Sequence, residues 1–379
     1  VNNKDSMRIN CVQYLRGFAA LLVIFYHLRF DLNNIYSIKN MGDILFESAA
    51  FGVDLFFVIS GFVIMYATEK KENMQSVKYL FRRVFRIYPL LISCIVFYFV
   101  FISQSGNYEL FFRSLIPLNS NYSDGSPFFG YNMLMPAWTL TYEIAFYGIF
   151  WVAMMLSHRY RGIICGGFII LCVLGIQLHF NNSVSLSGYN NFNFIPNSVL
   201  HFPVTFLSSP MFIDFIYGIF IFYVLKVDNG FILKNRALVT TLSTLLILSC
   251  CYMLISKKFF GHGPTTWGMI AAAVLFSSLL IEKAKSLFNC KSLSFLGDVS
   301  YSMYLMQAIV LEFIAKHSIQ LPNALSSGAP KFITLTIIII LVSYVTHLMI
   351  EKPFINMGKK VICKIDPTKK SILIPSHKA

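Results

Sequence analysis

RGFAALLVIFYH, Arg16–His27, reads as the body of a membrane-crossing helix with a cation near one end and an imidazole near the other. The uncharged run between them extends far enough on both sides to approach the roughly 20 residues that a spanning helix needs. At about 100° per residue, the step from Arg16 to His27 is three turns plus roughly 20°. Both side chains therefore leave one face of the helix, about 16 Å apart along its axis. A charged group in hydrocarbon costs on the order of 2.5–3.5 kcal/mol even on the mildest insertion scale. Such residues line a cavity or a path unless they escape to the interfaces, Arg16 by snorkelling to one side and His27 by sitting at the other.

The rest of the chain has the same character. Of its 379 residues, 56% are hydrophobic and 13% charged, with 38 Phe and 20 Tyr; soluble domains carry about 25% charged residues. A net charge of +14 raises the question of nucleic acid, but the basic residues sit in short clusters between apolar runs, the pattern of membrane orientation, and no nucleic-acid partner is expected. The eight cysteines form no CxxC pair, and Cys94, Cys165, Cys172 and Cys250 lie inside apolar runs. They read as small packing residues, so neither a disulfide framework nor a metal site is expected. The first apolar run lacks a small-residue cleavage site and leads straight into further spans, so it is expected to be retained as an anchor.

Ten apolar segments are centred near Leu22, Ile59, Ile95, Phe146, Leu171, Phe220, Leu245, Ala273, Leu305 and Ile339. The expected fold is thus all-α, a polytopic integral membrane protein of about ten transmembrane helices. The positive-inside rule places both termini in the cytoplasm of a multi-pass protein of the inner (cytoplasmic) membrane. Residues 1–358 make the transmembrane domain and 359–379 a basic cytoplasmic tail. The outward loops near 107–135 and 180–208 are longer and more polar, and the second has no Lys, Arg, Asp or Glu. Their Asn, Ser, Tyr and Phe suit contact with sugar, or simply exposure.

Further spans carry polar residues of their own. GVDLFFVISGFVIM, Gly52–Met65, places Asp54 near its outer end and Ser60 near mid-depth. Asp54 is expected to approach His27, where a carboxylate would fix the tautomer of a general base. Ser60 with Gly61 reads as a close helix contact or a polar site. KYLFRRVFRIYPLL, Lys78–Leu91, gathers Arg82, Arg83 and Arg86 at the inner end of the third span, with Arg83 and Arg86 on one face. Arginine forks match phosphate oxygens; the competing reading is orientation and contact with anionic lipid. PAWTLTYEIAFYGIFW, Pro136–Trp151, buries Glu143 below Trp138, where a carboxyl must be paired, hydrogen-bonded or protonated. Asp214, Asp298, Gln307, Glu312 and His347 add polar groups in later spans. Ordered by depth, the arginines fall in the inner half and His27, Asp54 and Glu143 in the outer half, a path from a phosphate-bearing cytoplasmic donor to an outward acceptor.

These motifs resemble those of the acyltransferase 3 family of membrane acyltransferases, which O-acylate surface polysaccharides and related glycans. Arg16 and His27 have the spacing of its signature, FFVISGF at Phe56–Phe62 is similar to its second motif, and RRVFRIYP at Arg82–Pro89 to its RxxR motif. WTLTYEIAFY at Trp138–Tyr147, FLGDVSYSMYLMQ at Phe295–Gln307 and EKPF at Glu351–Phe354 are similar to later blocks. The resemblance implies that Arg83 and Arg86, with Arg82 and Ser60 beside them, hold the acyl donor acetyl coenzyme A. It implies catalytic roles for His27, Arg16, Glu143 and Asp54, with membrane lipid, the acyl-CoA and a glycan acceptor as partners. Gln307 stands where many members have a histidine, which removes a titrating role there. No hydrolase domain is expected to follow the spans, and on that expectation a second transfer step outside would call on a separate extracytoplasmic partner. The rival reading is a transporter or flippase for a glycan or small solute that uses the same buried polar path without chemistry.

Overall fold

Apolar segments this long satisfy their backbone polar groups in hydrocarbon only by closing every hydrogen bond within the segment, which makes them helices. The computed structural model describes residues 9–103, 106–190, 201–228, 230–285, 290–319 and 321–366. It has a long helix at each of the ten expected places: α1 Asn10–Leu28, α2 Gly52–Ala67, α3 Gln75–Phe97, α4 Trp138–Leu156, α5 Arg161–Asn181, α6 Phe212–Lys226, α7 Arg236–Ser256, α8 Trp267–Ala284, α9 Lys291–Lys316 and α10 Gly328–Thr346. Eight helical stretches are long and apolar enough to cross a membrane. α6, with 15 residues, is about 22 Å long, short of a hydrocarbon core of about 30 Å; α9 is long enough but more polar. Among the described residues the β-structure is limited to one isolated bridge, Ser126 with Asn190. The all-α polytopic architecture is therefore as expected, and the chain is a membrane protein.

Glycines set which helices touch most closely. A Cβ on Gly17 of α1 would fall 2.7 Å from the Leu296 Cβ of α9, and one on Gly297 would fall 2.3 Å from the Gln13 carbonyl oxygen. Between α2 and α6, a Cβ on Gly61 would lie 2.0 Å from the Phe215 carbonyl oxygen, and one on Gly218 2.0 Å from that of Val58. Small residues at such contacts let backbones approach where lipid supplies no hydrophobic drive. Glu282 of α8 accepts hydrogen bonds from the backbone N–H groups of Asn10 (2.8 Å) and Cys11 (2.9 Å). It thereby caps α1 with a negative charge at the positive end of the helix dipole.

A π-helical turn, His347–Glu351, joins α10 to an amphipathic helix, α11, Lys352–Ile365. Gly358 of α11 seats on the Phe85 ring of α3, and Lys78 and Asp366 form a buried ion pair behind it. Residues 359–365 of the expected tail are thus helical and packed, whereas 367–379 lie outside the described residues. The loop near 107–135 divides: Tyr108, Phe112 and Ile116 are exposed, whereas much of 117–134 folds into the bundle. Asn119, Phe129 and Leu134 are fully buried, Tyr142 donates to the Pro127 carbonyl (3.1 Å), and Ser126 Oγ meets Ser209 Oγ at 2.7 Å. Of the uncharged loop near 180–208, residues 191–200 lie outside the described residues.

Candidate active site

On α4, Thr139, Glu143 and Tyr147 recur every fourth residue and so share one face. That face, with Ser60 of α2, Arg16 of α1, and Arg83 and Arg86 of α3, lines a cavity of about 90 Å³. Ser60 Oγ donates to Glu143 Oε1 at 3.1 Å, and the Tyr147 hydroxyl donates to the same oxygen. Ser60 is therefore a polar member of the site, while its neighbour Gly61 makes the close helix contact. The Arg83 guanidinium lies over the Tyr147 ring at 4.8 Å and the Tyr79 ring at 5.6 Å, and its buried Nε has no hydrogen-bond partner. Among the described residues, none of Arg16, Arg83 and Arg86 closes an ion pair. Glu351 acts on Arg16 and Arg86 from outside the lining, held by Ser302 Oγ (2.8 Å) and by His347 Nδ1 (2.9 Å). Three guanidiniums around one lining carboxylate leave the cavity with excess positive charge, a setting for an anion.

Arg82 does not join them. Its side chain turns outward, 40% exposed, to pair with Glu72 at 2.7 Å, although it lies four residues from Arg86 on the helix. The expectation that it contacts the donor is corrected on that ground. Glu143 is the second correction. It does not sit in the half that holds His27: α4 begins beside the second cavity, and five residues beyond Trp138, about 7.5 Å deeper, Glu143 lies among the arginines.

His27 lines that second cavity, of about 360 Å³, with Arg29, Glu47, Trp138, Tyr189 and His262. Val53 and Tyr304 belong to both cavities and form the partition between them. Tyr304 is fixed there by its hydroxyl, 2.8 Å from Thr139 Oγ1 and 3.0 Å from the Pro136 carbonyl oxygen, and by Gln307 Nε2, which donates to its carbonyl at 3.1 Å. Arg29 is held by Asp43 (3.0 Å) and stacks on Tyr26 and Phe30. Burial, with a smaller push from the Asp54 charge, raises the Tyr189 phenol to about 12, so this wall offers a neutral hydroxyl.

Asp54 supplies the third correction. It is fully buried and does not reach His27: its Oδ2 is 2.7 Å from His262 Nδ1, and its Oδ1 accepts from the Gly263 N–H at 3.0 Å. Its position one turn into α2 points it at the segment preceding α8. Among the described residues His27 has no hydrogen-bond partner. Of the other polar residues in the spans, Asp298 accepts from Gln13 Nε2 (2.9 Å), Glu312 pairs with Tyr98, and Asp214 is buried against Asp54. His262 joins the site without any helical period to mark it; its signal is local, a histidine between two glycines in GHGPTTWG, Gly261–Gly268, directly before a helix.

A family profile described as an acyltransferase domain, acyltransferase 3, matches residues 9–348. Among curated proteins the chain is 25% identical to the exopolysaccharide production protein ExoZ of Rhizobium meliloti over 325 residues, covering 83% of this chain and 92% of that one. It is also 25% identical to the O-acetyltransferase OatA of Staphylococcus aureus, over 94% of this chain and 58% of that longer protein. No solved structure matches the chain at a significant level.

Proposed function

The chain belongs to the acyltransferase 3 family and is a membrane O-acyltransferase, and from that premise we propose that it carries acetyl from cytoplasmic acetyl coenzyme A to a hydroxyl of a surface or lipid-linked polysaccharide, from within the inner membrane. The observation that carries this reading is the charge of the smaller cavity, where Arg16, Arg83 and Arg86 surround Glu143 and close no ion pair among the described residues. An anionic thioester donor is the kind of ligand that balances it. The printed names of the two relatives, one for exopolysaccharide production and one for O-acetyl transfer, support the acetyl group and the glycan acceptor.

In this reading Arg83 and Arg86 hold a donor phosphate, and Arg16 faces the thioester end, where positive charge steadies the departing thiolate. Glu143, held by Ser60 and Tyr147, offsets part of the mutual repulsion of the three guanidiniums. The reacting carbonyl lies at the partition of Val53 and Tyr304, and His27 meets it from the aromatic cavity. There the faces of Trp138 and Tyr189 offer a sugar an apolar surface beside polar tips. The acceptor oxygen attacks the thioester carbon, a C–O bond forms, the C–S bond breaks, and the hydroxyl proton ends on the sulfur.

The test reconstitutes the purified protein in liposomes with labelled acetyl coenzyme A and envelope polysaccharide extracted from a strain lacking the gene. Base-labile label should appear on the polysaccharide with wild-type protein and vanish with His27→Ala, which should still bind the donor. Label that never leaves the coenzyme, with wild-type protein inserted and folded, would refute the donor and acceptor assignment.

A further inference from the structure

The aromatic cavity holds two histidines, and they are differently equipped. Among the described residues His27 makes no hydrogen bond to a carboxylate, whereas His262 is built in from every side. It is 5% exposed, and its ring lies edge-on to Trp267 (4.9 Å between centroids) and to Trp138 (5.7 Å). Its carbonyl accepts from the Gly188 N–H at 3.0 Å. Gly263, at φ +121°, turns the chain so that its own N–H reaches Asp54, and a Cβ there would fall 2.6 Å from the Gly188 nitrogen. Only glycine meets both demands. The segment thus fixes one ring over one carboxylate, Nδ1 to Oδ2 at 2.7 Å.

A carboxylate accepting from Nδ1–H sets the tautomer: the lone pair is on Nε2, and a proton taken there is stabilised by the charge behind the ring. With Nδ1 engaged, Nε2 is the nitrogen that His262 can offer to the cavity it lines. Resting on the acyl-transfer reading above, we propose that His262 is the general base for the acceptor hydroxyl and Asp54 its positioning residue. The sugar O–H gives its proton to Nε2 and the oxygen forms the ester bond to the acyl carbon. The C–S bond breaks with its electron pair left on sulfur, and the imidazolium proton is returned to that thiolate.

The liposome assay above tests this with three variants. His262→Gln and Asp54→Asn should each lower the transfer rate by roughly 10²–10⁴-fold, the range of a lost general base, with the acetyl coenzyme A Kd within twofold of wild type. Asp54→Asn is the sharper probe, because it keeps the volume and the bond from Gly263 while presenting an N–H to Nδ1. That inverts the tautomer and blocks Nε2, which a merely structural contact would survive. His262→Ala should regain activity on adding imidazole, in proportion to the neutral imidazole present. Wild-type transfer together with His262→Gln or Asp54→Asn turnover within threefold of it would overturn the proposal alone. So would a His262→Ala protein that imidazole fails to rescue and whose donor affinity has also fallen. No transfer by the wild type would remove the acceptor reading and this role with it.

Discussion

Replacing Arg83 by methionine separates a ligand-holding cation from a structural one, because the two make opposite predictions for stability. A side chain of similar length fills the same space between Tyr79 and Tyr147 while removing the charge. A charge-assisted hydrogen bond to a phosphate is worth about 1.5–3 kcal/mol, and each 1.4 kcal/mol is tenfold. The acetyl coenzyme A Kd should therefore rise roughly 10- to 150-fold. In the empty protein the same guanidinium contributes little: its Nε is buried without a partner and it shares the cavity with two further arginines. Against that stands the stacking on Tyr147 at 4.8 Å, worth about 0.5–2 kcal/mol. The net effect on the unliganded Tm should be small and of either sign. What disappears is the rise in Tm that saturating donor gives the wild type, since ligand stabilisation follows the ratio of concentration to Kd. Calorimetric titration and thermal unfolding in one detergent measure both. Arg82→Met, where the side chain turns away from the cavity to pair with Glu72, is the control and should change Kd less than twofold. An Arg83→Met protein that melts far below wild type yet binds donor normally once folded would refute the reasoning and make Arg83 a packing residue.

Two further outcomes test the scaffold that holds the site. Lys78→Met leaves Asp366 buried without its cation and should destabilise by about 3–5 kcal/mol, whereas the double variant Lys78→Met, Asp366→Leu should recover most of that loss; thermal unfolding of the three proteins reads this directly. Gly61→Ala forces a methyl to within 2.0 Å of the Phe215 carbonyl oxygen and should cost about 1–3 kcal/mol as α2 and α6 separate. Gly148→Ala on α4, where a Cβ meets nothing within 4 Å, should stay within about 0.5 kcal/mol of wild type.

How far the sequence could be read follows from which signals are periodic and which are not. Helix number and position came from hydropathy, because lipid forces each long apolar run to close its own hydrogen bonds. This held even for α6, too short by itself, and α9, too polar by itself. The shared face of Arg83 and Arg86 follows from helix rotation, but Arg82, four residues before Arg86, is set apart by its pairing with Glu72, which no period shows. Depth order was legible for Arg16 and His27, which one helix fixes relative to each other. It failed for Glu143, whose depth depends on where α4 starts after a loop that folds into the bundle. It failed again for Asp54, where two candidate histidines lay 27 and 208 residues away and separation in sequence favoured the wrong one. His262 sits in an irregular segment, where no period points and only flanking glycines mark the turn.

The partition between the cavities explains why the polar residues had to be divided as they are. Guanidiniums strong enough to hold a phosphate would also hold His262 in its neutral form and draw Asp54 away from it, since Coulomb energy in a weakly screened interior falls off only as the inverse of distance. Val53 and the Tyr304 ring, locked by Thr139, Pro136 and Gln307, put protein between the two sets of charges. Glu143 on the arginine side and Asp54 on the histidine side then each answer to their own neighbours. A smaller residue at position 304 would merge the two cavities and let water reach the thioester from the acceptor side. Under the proposed function the acyl group would then be lost to hydrolysis without a glycan, and Tyr304 would be the side chain that keeps water from competing with the acceptor hydroxyl.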